Sequence, residues 1–307
     1  MIQYKFTVVV PIIYLNEFSQ KAMIDLCQKA KTFNNDVLFV LSCSEVVERD
    51  ILGIIGNQND CANVIVAKSK SDNSNFLRYK GLMYVKTNYV YYQDCDDEVD
   101  YQMIINNMDI CNGDNVVCFN IKRRHIDEDG KIKEVRLLYP EKSYDVKSID
   151  LLMTNIVNKL IPLKYLMKVH FYNIPFSQDL SLSFQLFEIC PHYYCSAPVY
   201  LYENNWKSTG GIRKTNSASL LRVVAIERIL LKLLSDRKNK AYVIYRYEII
   251  LQERFAFLNK CYWPLLNLMS INPFCFGLKN ASRHLYHYFL AYLSCARVYM
   301  KRLVVKE

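Results

Sequence analysis

Tyr89-Val90-Tyr91-Tyr92-Gln93-Asp94-Cys95-Asp96-Asp97 is the stretch on which the reading of this chain turns. An apolar, aromatic run that predicts a buried strand over 88–93 stops abruptly in three acids. Alternate residues at an extended strand end point the same way, so Asp94 and Asp96 converge. Upstream, Lys5-Phe6-Thr7-Val8-Val9-Val10-Pro11 predicts a first buried parallel strand, and 37–41 and 63–67 predict the second and third. Helical spacing predicts helices over 16–33, 45–55 and 76–85. Strands alternating with helices at this pace imply βαβ units and a doubly wound α/β sheet. Such sheets bind ligands beyond the carboxyl ends of their strands, which is where the acids sit.

After residue 100 the rhythm changes. Segments 115–122 and 131–138 flank Asp127-Glu128-Asp129-Gly130, a hairpin turn signal. Helices are expected over 148–155, 163–168 and 180–189, and a short strand over 199–202. From Ser217 onward the pattern is helical, over 217–235, 241–258 and 282–303. Gly210-Gly211 reads as a hinge, which divides the chain into a catalytic domain over 1–210 and a helical region over 211–307.

Composition narrows the function classes. Of 307 residues, 51% are hydrophobic and only 22% charged, so the chain is neither a disordered tail nor low-complexity. The net charge of +9 is unevenly spread. Residues 207–307 hold 18 Lys and Arg against five Asp and Glu, whereas the first 206 carry a slight acidic excess. A basic C-terminal third suits an anionic membrane surface, a nucleic acid or plain solvation. No nucleic-acid-binding motif is recognisable, so no nucleic-acid partner is expected. The eleven cysteines include no C-x-x-C pair, and none lies at zinc-ligand spacing from a histidine. They read as buried thiols of a reducing cytoplasm. The longest uncharged run, 261–278, contains two prolines and cannot be a straight membrane-spanning helix.

Two carboxylates at the mouth of an α/β sheet suit a hard divalent cation, Mn²⁺ or Mg²⁺, that would hold a diphosphate. Asp96 with Asp94 beside it is the candidate metal pair, and Asp97 leaves open which neighbour touches the ion. Arg78 and Lys80 lie before the preceding turn and are candidate phosphate ligands, with a surface helix charge as the bland alternative.

These elements in this order resemble the family-2 glycosyltransferases with the GT-A fold, especially bacterial enzymes that build surface polysaccharides such as O-antigen, capsule and exopolysaccharide. The resemblance spans roughly residues 5–210. It rests on Val8-Val9-Val10-Pro11 followed by Asn16-Glu17, on Asn75-Phe76-Leu77-Arg78-Tyr79-Lys80-Gly81, and on the acidic strand end. Asn158-Lys159-Leu160, Phe176-Ser177-Gln178-Asp179-Leu180 and Val199-Tyr200-Leu201-Tyr202 complete it.

The resemblance implies a mixed GT-A sheet flanked by helices, and an inverting, metal-dependent sugar transfer from a nucleotide-diphosphate donor such as a UDP-sugar. The acceptor would be a glycan or lipid-linked glycan, met at the cytoplasmic face of a membrane on which the basic C-terminal region docks. Asp179 maps to the general base, with a helix N-cap as its structural alternative. Pro11, Asn16, Glu17, Ser42, Arg78, Lys80, Asp94, Cys95 and Asp96 map to the donor site. The stretch 40–44 lacks the family's acid that contacts the nucleobase, leaving Ser42 or Ser44 for that bond, and the usual Glu-Asp pair is here Gln178-Asp179. A catalytically idle GT-A-like scaffold is the alternative from another class.

Overall fold

The computed structural model describes residues 3–56, 61–126, 132–137, 141–146, 155–171 and 178–204. The order is β1 (Phe6–Ile12), α1 (Glu17–Thr32), β2 (Val37–Ser44), α2 (Glu48–Gly56), β3 (Val64–Ser69), α3 (Ser74–Leu82) and β4 (Tyr89–Tyr92). There follow β5 (Glu98–Val99), α4 (Tyr101–Asn106), β6 (Val116–Ile126), β7 (Ile132–Leu137), β8 (Tyr144–Val146), β9 (Lys159–Pro162), α5 (Leu163–Leu166), α6 (Gln178–Ile189) and β10 (His192–Asn204). Among the described residues the strands form one sheet in the order β3-β2-β1-β4-β9-β6-β10-β5, with β7 on β6 and β8 on β10.

The first four strands are parallel, as their alternation with helices requires. Every residue of β1 and β2 is buried, because helices cover both faces of the sheet. Phe39 of β2 meets Tyr101 edge-on, and Tyr101 meets Phe33 at the end of α1. Ser42, three residues on and therefore on the other face, lies under α3. The chain leaves β1 for β2 on one side and returns as β4 on the other. The crevice beyond β1 and β4 is thus the switch point of the sheet.

Gly81 explains how closely α3 can lie on that sheet. A Cβ there would stand 2.4 Å from Val9 Cγ1 and 3.5 Å from Ser42 Cβ. Gly81→Ala should therefore cost about 1–3 kcal/mol through overpacking. Gly53→Ala in α2, where no described residue lies within 4 Å, should instead be neutral or gain up to about 1 kcal/mol. Urea unfolding of the two variants checks this contrast, and equal stabilities would mean that α3 is not pressed on β1.

Several elements differ from the sequence expectation. The strand expected over 199–202 is a 13-residue strand, β10, parallel to β6. Pro198 conceals it, since proline cannot donate to a ladder. The structure absorbs it with register shifts on either side of Pro198. Strand β9 was not expected, because its four residues begin with a lysine and end with a proline, yet it is buried between β4 and β6. The hairpin expectation corresponds to antiparallel β6 and β7. The helix over 148–155 falls almost wholly outside the described residues. So do the Gly210-Gly211 hinge, the C-terminal helices and their membrane docking. No described helix is long and apolar enough to cross a membrane. The eight described cysteines are all free thiols.

Candidate active site

The chain leaves β4 at Tyr92 and turns at once, with the Asp97 N–H donating to the Asp94 carbonyl at 3.2 Å. The three acids part company in this turn. Asp94 points back toward α3, Asp96 is exposed, and Asp97 is buried at 7% exposure. The Asp97 carboxylate accepts a hydrogen bond from the Tyr200 hydroxyl of β10. Of Asp96 and Asp97, only Asp96 offers its carboxylate to solvent.

Arg78 is the centre of the site. Asn73 caps α3 by accepting from the N–H groups of Asn75 and Phe76, and one turn later Arg78 is carried inward to 3% side-chain exposure. Its Nη2 lies 3.0 Å from Asp94 Oδ1 and its Nη1 lies 2.7 Å from Asp179 Oδ1. The planar guanidinium fork is suited to spanning two carboxylates in this way. Its carbon lies 5.9 Å from the ring centre of Tyr92, a further favourable contact. Burial pulls the Arg78 pKa down, but the carboxylates of Asp179 and Asp94 more than offset it, and the group stays charged.

Asp94 feels the opposite pulls. Crowding by protein raises its pKa and Arg78 lowers it, while the charges of Asp179 and Asp96 raise it again, leaving it up at about 6. Its side chain is still 41% exposed, so solvent at the cleft mouth moderates that shift. Protein crowded around Asp96 likewise raises its pKa from the ordinary value, opposed by its own backbone N–H and moderated by the solvent to which the residue is exposed. Asp179 is the second residue of α6, in the first turn rather than at the cap, where a carboxylate also suits the helix dipole.

Behind the acids lies Lys159, fully buried at the start of β9, donating to Asn158 Oδ1 at 3.0 Å and to the Asn155 carbonyl. Burial lowers its pKa, and the neighbouring Cys118 and Asp179 oppose that in part. The Asn158-Lys159-Leu160 motif alone names no charge for this lysine to balance.

The structure brings Arg78, Asp94 and Asp179 together and separates other candidates from them. Arg78 is neither a surface charge nor an open phosphate ligand, because both its terminal nitrogens are engaged by acids. Lys80, two residues further along α3, faces elsewhere, and its Nζ lies over the Tyr84 ring at 5.7 Å. Ser42 is corrected outright. It is fully buried beneath α3, its hydroxyl has no hydrogen-bond partner among the described residues, and it presents no surface to a nucleobase. Ser44 is buried too and donates to the Ile13 carbonyl at 2.9 Å.

Asn16 serves as the N-cap of α1. Its Oδ1 accepts from the Ser19 N–H at 2.9 Å, and its own N–H donates to Ser19 Oγ at 2.7 Å. Glu17 is the first residue of that helix. Pro11 is buried in β1, where its lack of an N–H is tolerated because β4 pairing ends at Val9 and only β2 remains beside it. Burial and the three neighbouring acids raise the Cys95 thiol far above its ordinary pKa, so it is no nucleophile.

No family model matches the sequence, and no curated protein does. Solved structures do match. The structure of S. aureus TarS 1-349 aligns with a TM-score of 0.52 at 14% identity, over 96% of this chain and 80% of that one. The same protein in complex with UDP-GlcNAc aligns with a TM-score of 0.51 at 14% identity, over 86% of this chain and 89% of the other. At such identities the likeness is one of fold. Together with the mixed sheet, its switch point and the acidic turn after β4, it makes the fold of this chain GT-A in type.

Proposed function

We propose that this protein is an inverting glycosyltransferase that moves a sugar from a nucleotide-diphosphate donor, a UDP-sugar, to a glycan or lipid-linked glycan acceptor of surface polysaccharide. The observation that carries the reading is the Arg78 bridge. It holds the acid that follows β4 and the acid that opens α6 around one guanidinium, at the sheet's switch point. The fold likeness to TarS, solved in complex with UDP-GlcNAc, supports the donor class.

Asp179 is the base. Its carboxylate accepts the proton of the acceptor hydroxyl as that oxygen bonds to the anomeric carbon. The bond from that carbon to the diphosphate oxygen breaks with its electron pair leaving on UDP, and attack from the opposite face inverts the centre. Arg78, its Nη1 2.7 Å from Asp179 Oδ1, orients that carboxylate before the acceptor arrives.

The acidic pair fits a hard divalent cation. Among the described residues no group of three or more His, Cys, Asp or Glu is arranged to enclose a metal. Exposed Asp96 and part-exposed Asp94 would share such an ion with phosphate oxygens and water. Asp94 and Asp96 would hold Mn²⁺ or Mg²⁺, which supplies charge neutralisation for the departing diphosphate.

Calorimetry with UDP, in Mn²⁺ and again in excess chelator, tests the reading. UDP should bind in Mn²⁺ and much more weakly in chelator. Equal affinity would remove the metal from the proposal. No binding of UDP under either condition would remove the donor.

A further inference from the structure

We propose that Tyr200 and Asp97 form an anchor that sets the Asp94–Asp96 turn, making Tyr200 a positioning residue for nucleotide-diphosphate binding; this rests on the donor-site reading above. Three acids within four positions repel one another, and each is best solvated when it points outward. Yet one of them is turned into the protein. Asp97 is 7% exposed, and its Oδ2 accepts from the hydroxyl of Tyr200, which is 1% exposed. A buried carboxylate is held there only if its oxygens are hydrogen-bonded.

The turn is also pinned on both sides of that bond. Before it, Gln93 Nε2 donates to the Asp97 carbonyl at 2.8 Å, and Gln93 Oε1 accepts from the buried Tyr101 hydroxyl. After it, β5 pairs antiparallel with Tyr200 and Leu201, and the Asp100 N–H donates to the Val199 carbonyl at 2.9 Å.

The consequence is directional. With Asp97 drawn inward onto β10, and the Asp97 N–H closing the turn on the Asp94 carbonyl, Asp96 stands outward and Asp94 faces Arg78. Strand β10 comes a hundred residues after the acids, so a distant part of the chain aims the donor-binding carboxylates. Outer groups that orient ligating carboxylates typically matter 10- to 100-fold for affinity.

Two substitutions separate anchoring from other roles. Tyr200→Phe keeps the ring in the core and removes only the hydroxyl. Asp97→Asn keeps an oxygen that accepts from Tyr200 and removes the charge. By calorimetry, Tyr200→Phe should weaken UDP binding in Mn²⁺ by about 10-fold or more while leaving affinity in chelator unchanged. Asp97→Asn should stay within a few-fold of the parent in both conditions.

Hydrogen exchange gives a second readout that does not need a ligand. In Tyr200→Phe, amides of residues 94–99 should exchange faster while those of β1 keep their protection. Unchanged exchange in that segment overturns the anchor even if UDP never binds, in which case the donor reading fails separately. Loss of the Mn²⁺-dependent gain in Asp97→Asn would make Asp97 a metal ligand and overturn the proposal as well. Uniformly faster exchange across β1 in Tyr200→Phe would reduce Tyr200 to a core residue.

Discussion

Asp179→Asn should lower turnover by roughly 10²–10⁴ while leaving UDP affinity within a few-fold of the parent, the usual share of general acid–base catalysis. The substitution is close to isosteric. The amide oxygen still accepts from Arg78 Nη1, which lies 2.7 Å from the carboxylate in the parent, so the bridge to Asp94 is kept in outline. What is lost is the capacity to take a proton from the acceptor hydroxyl. Steady-state kcat with a saturating nucleotide sugar, beside calorimetric UDP affinity, checks the prediction. Normal turnover would leave Asp179 as an electrostatic partner of Arg78 and nothing more. A parallel fall in UDP affinity would place its role in donor binding instead.

Arg78→Met should destabilise the protein toward the lower end of about 3–5 kcal/mol, the range for removing one member of a buried ion pair. The lower end applies because Asp94 and Asp179 are 41% and 29% exposed, so water takes up part of the lost attraction. Methionine fills much of the volume, so the loss reflects charge more than a cavity. Lysine would be a poor substitute, since one ammonium cannot span two carboxylates as the guanidinium fork does.

The loss should also depend on pH. Asp94 is already raised from 3.8 to about 6 by burial, and Arg78 is the chief group holding it down. Without Arg78 its folded-state value rises further above the unfolded one. The folded variant then binds more protons than the unfolded chain across that interval, so its stability falls as pH rises through it. The deficit against the parent should therefore be smaller near pH 5 than near pH 7.5. Urea unfolding at the two values measures it. A deficit independent of pH would mean that Arg78 acts through packing rather than through its acids.

Both results depend on one group whose importance is only half visible in sequence. The family resemblance made Arg78 a candidate phosphate ligand, whereas its place in the chain alone favoured a surface helix charge. That it is buried and shared by Asp94 and Asp179 was not readable, because Asp179 lies about a hundred residues downstream and no local pattern joins them. Tyr200 is a sharper case. Its strand was expected to be short, since Pro198 reads as a break, and nothing local to Val199-Tyr200-Leu201-Tyr202 says which residue the hydroxyl meets. Ser42 errs the other way. At a strand end it looks available to a nucleobase, but Gly81 lets α3 settle directly over it.

The sequence by itself determined the parallel half of the sheet, because unbroken apolar runs alternating with amphipathic segments satisfy burial in essentially one way. It also placed the acids at the mouth of the sheet, because acids that end a buried strand must emerge at its edge. Only the tertiary structure decided what each acid does. Asp94, Asp96 and Asp97 are near-equivalent along the chain. They differ because Arg78 draws the first, solvent keeps the second, and Tyr200 draws the third inward. Those partners come from α3 and β10, brought together by strand pairing across the sheet. The free energy that separates the three roles resides in burial and hydrogen bonds that exist only once the sheet has closed around them.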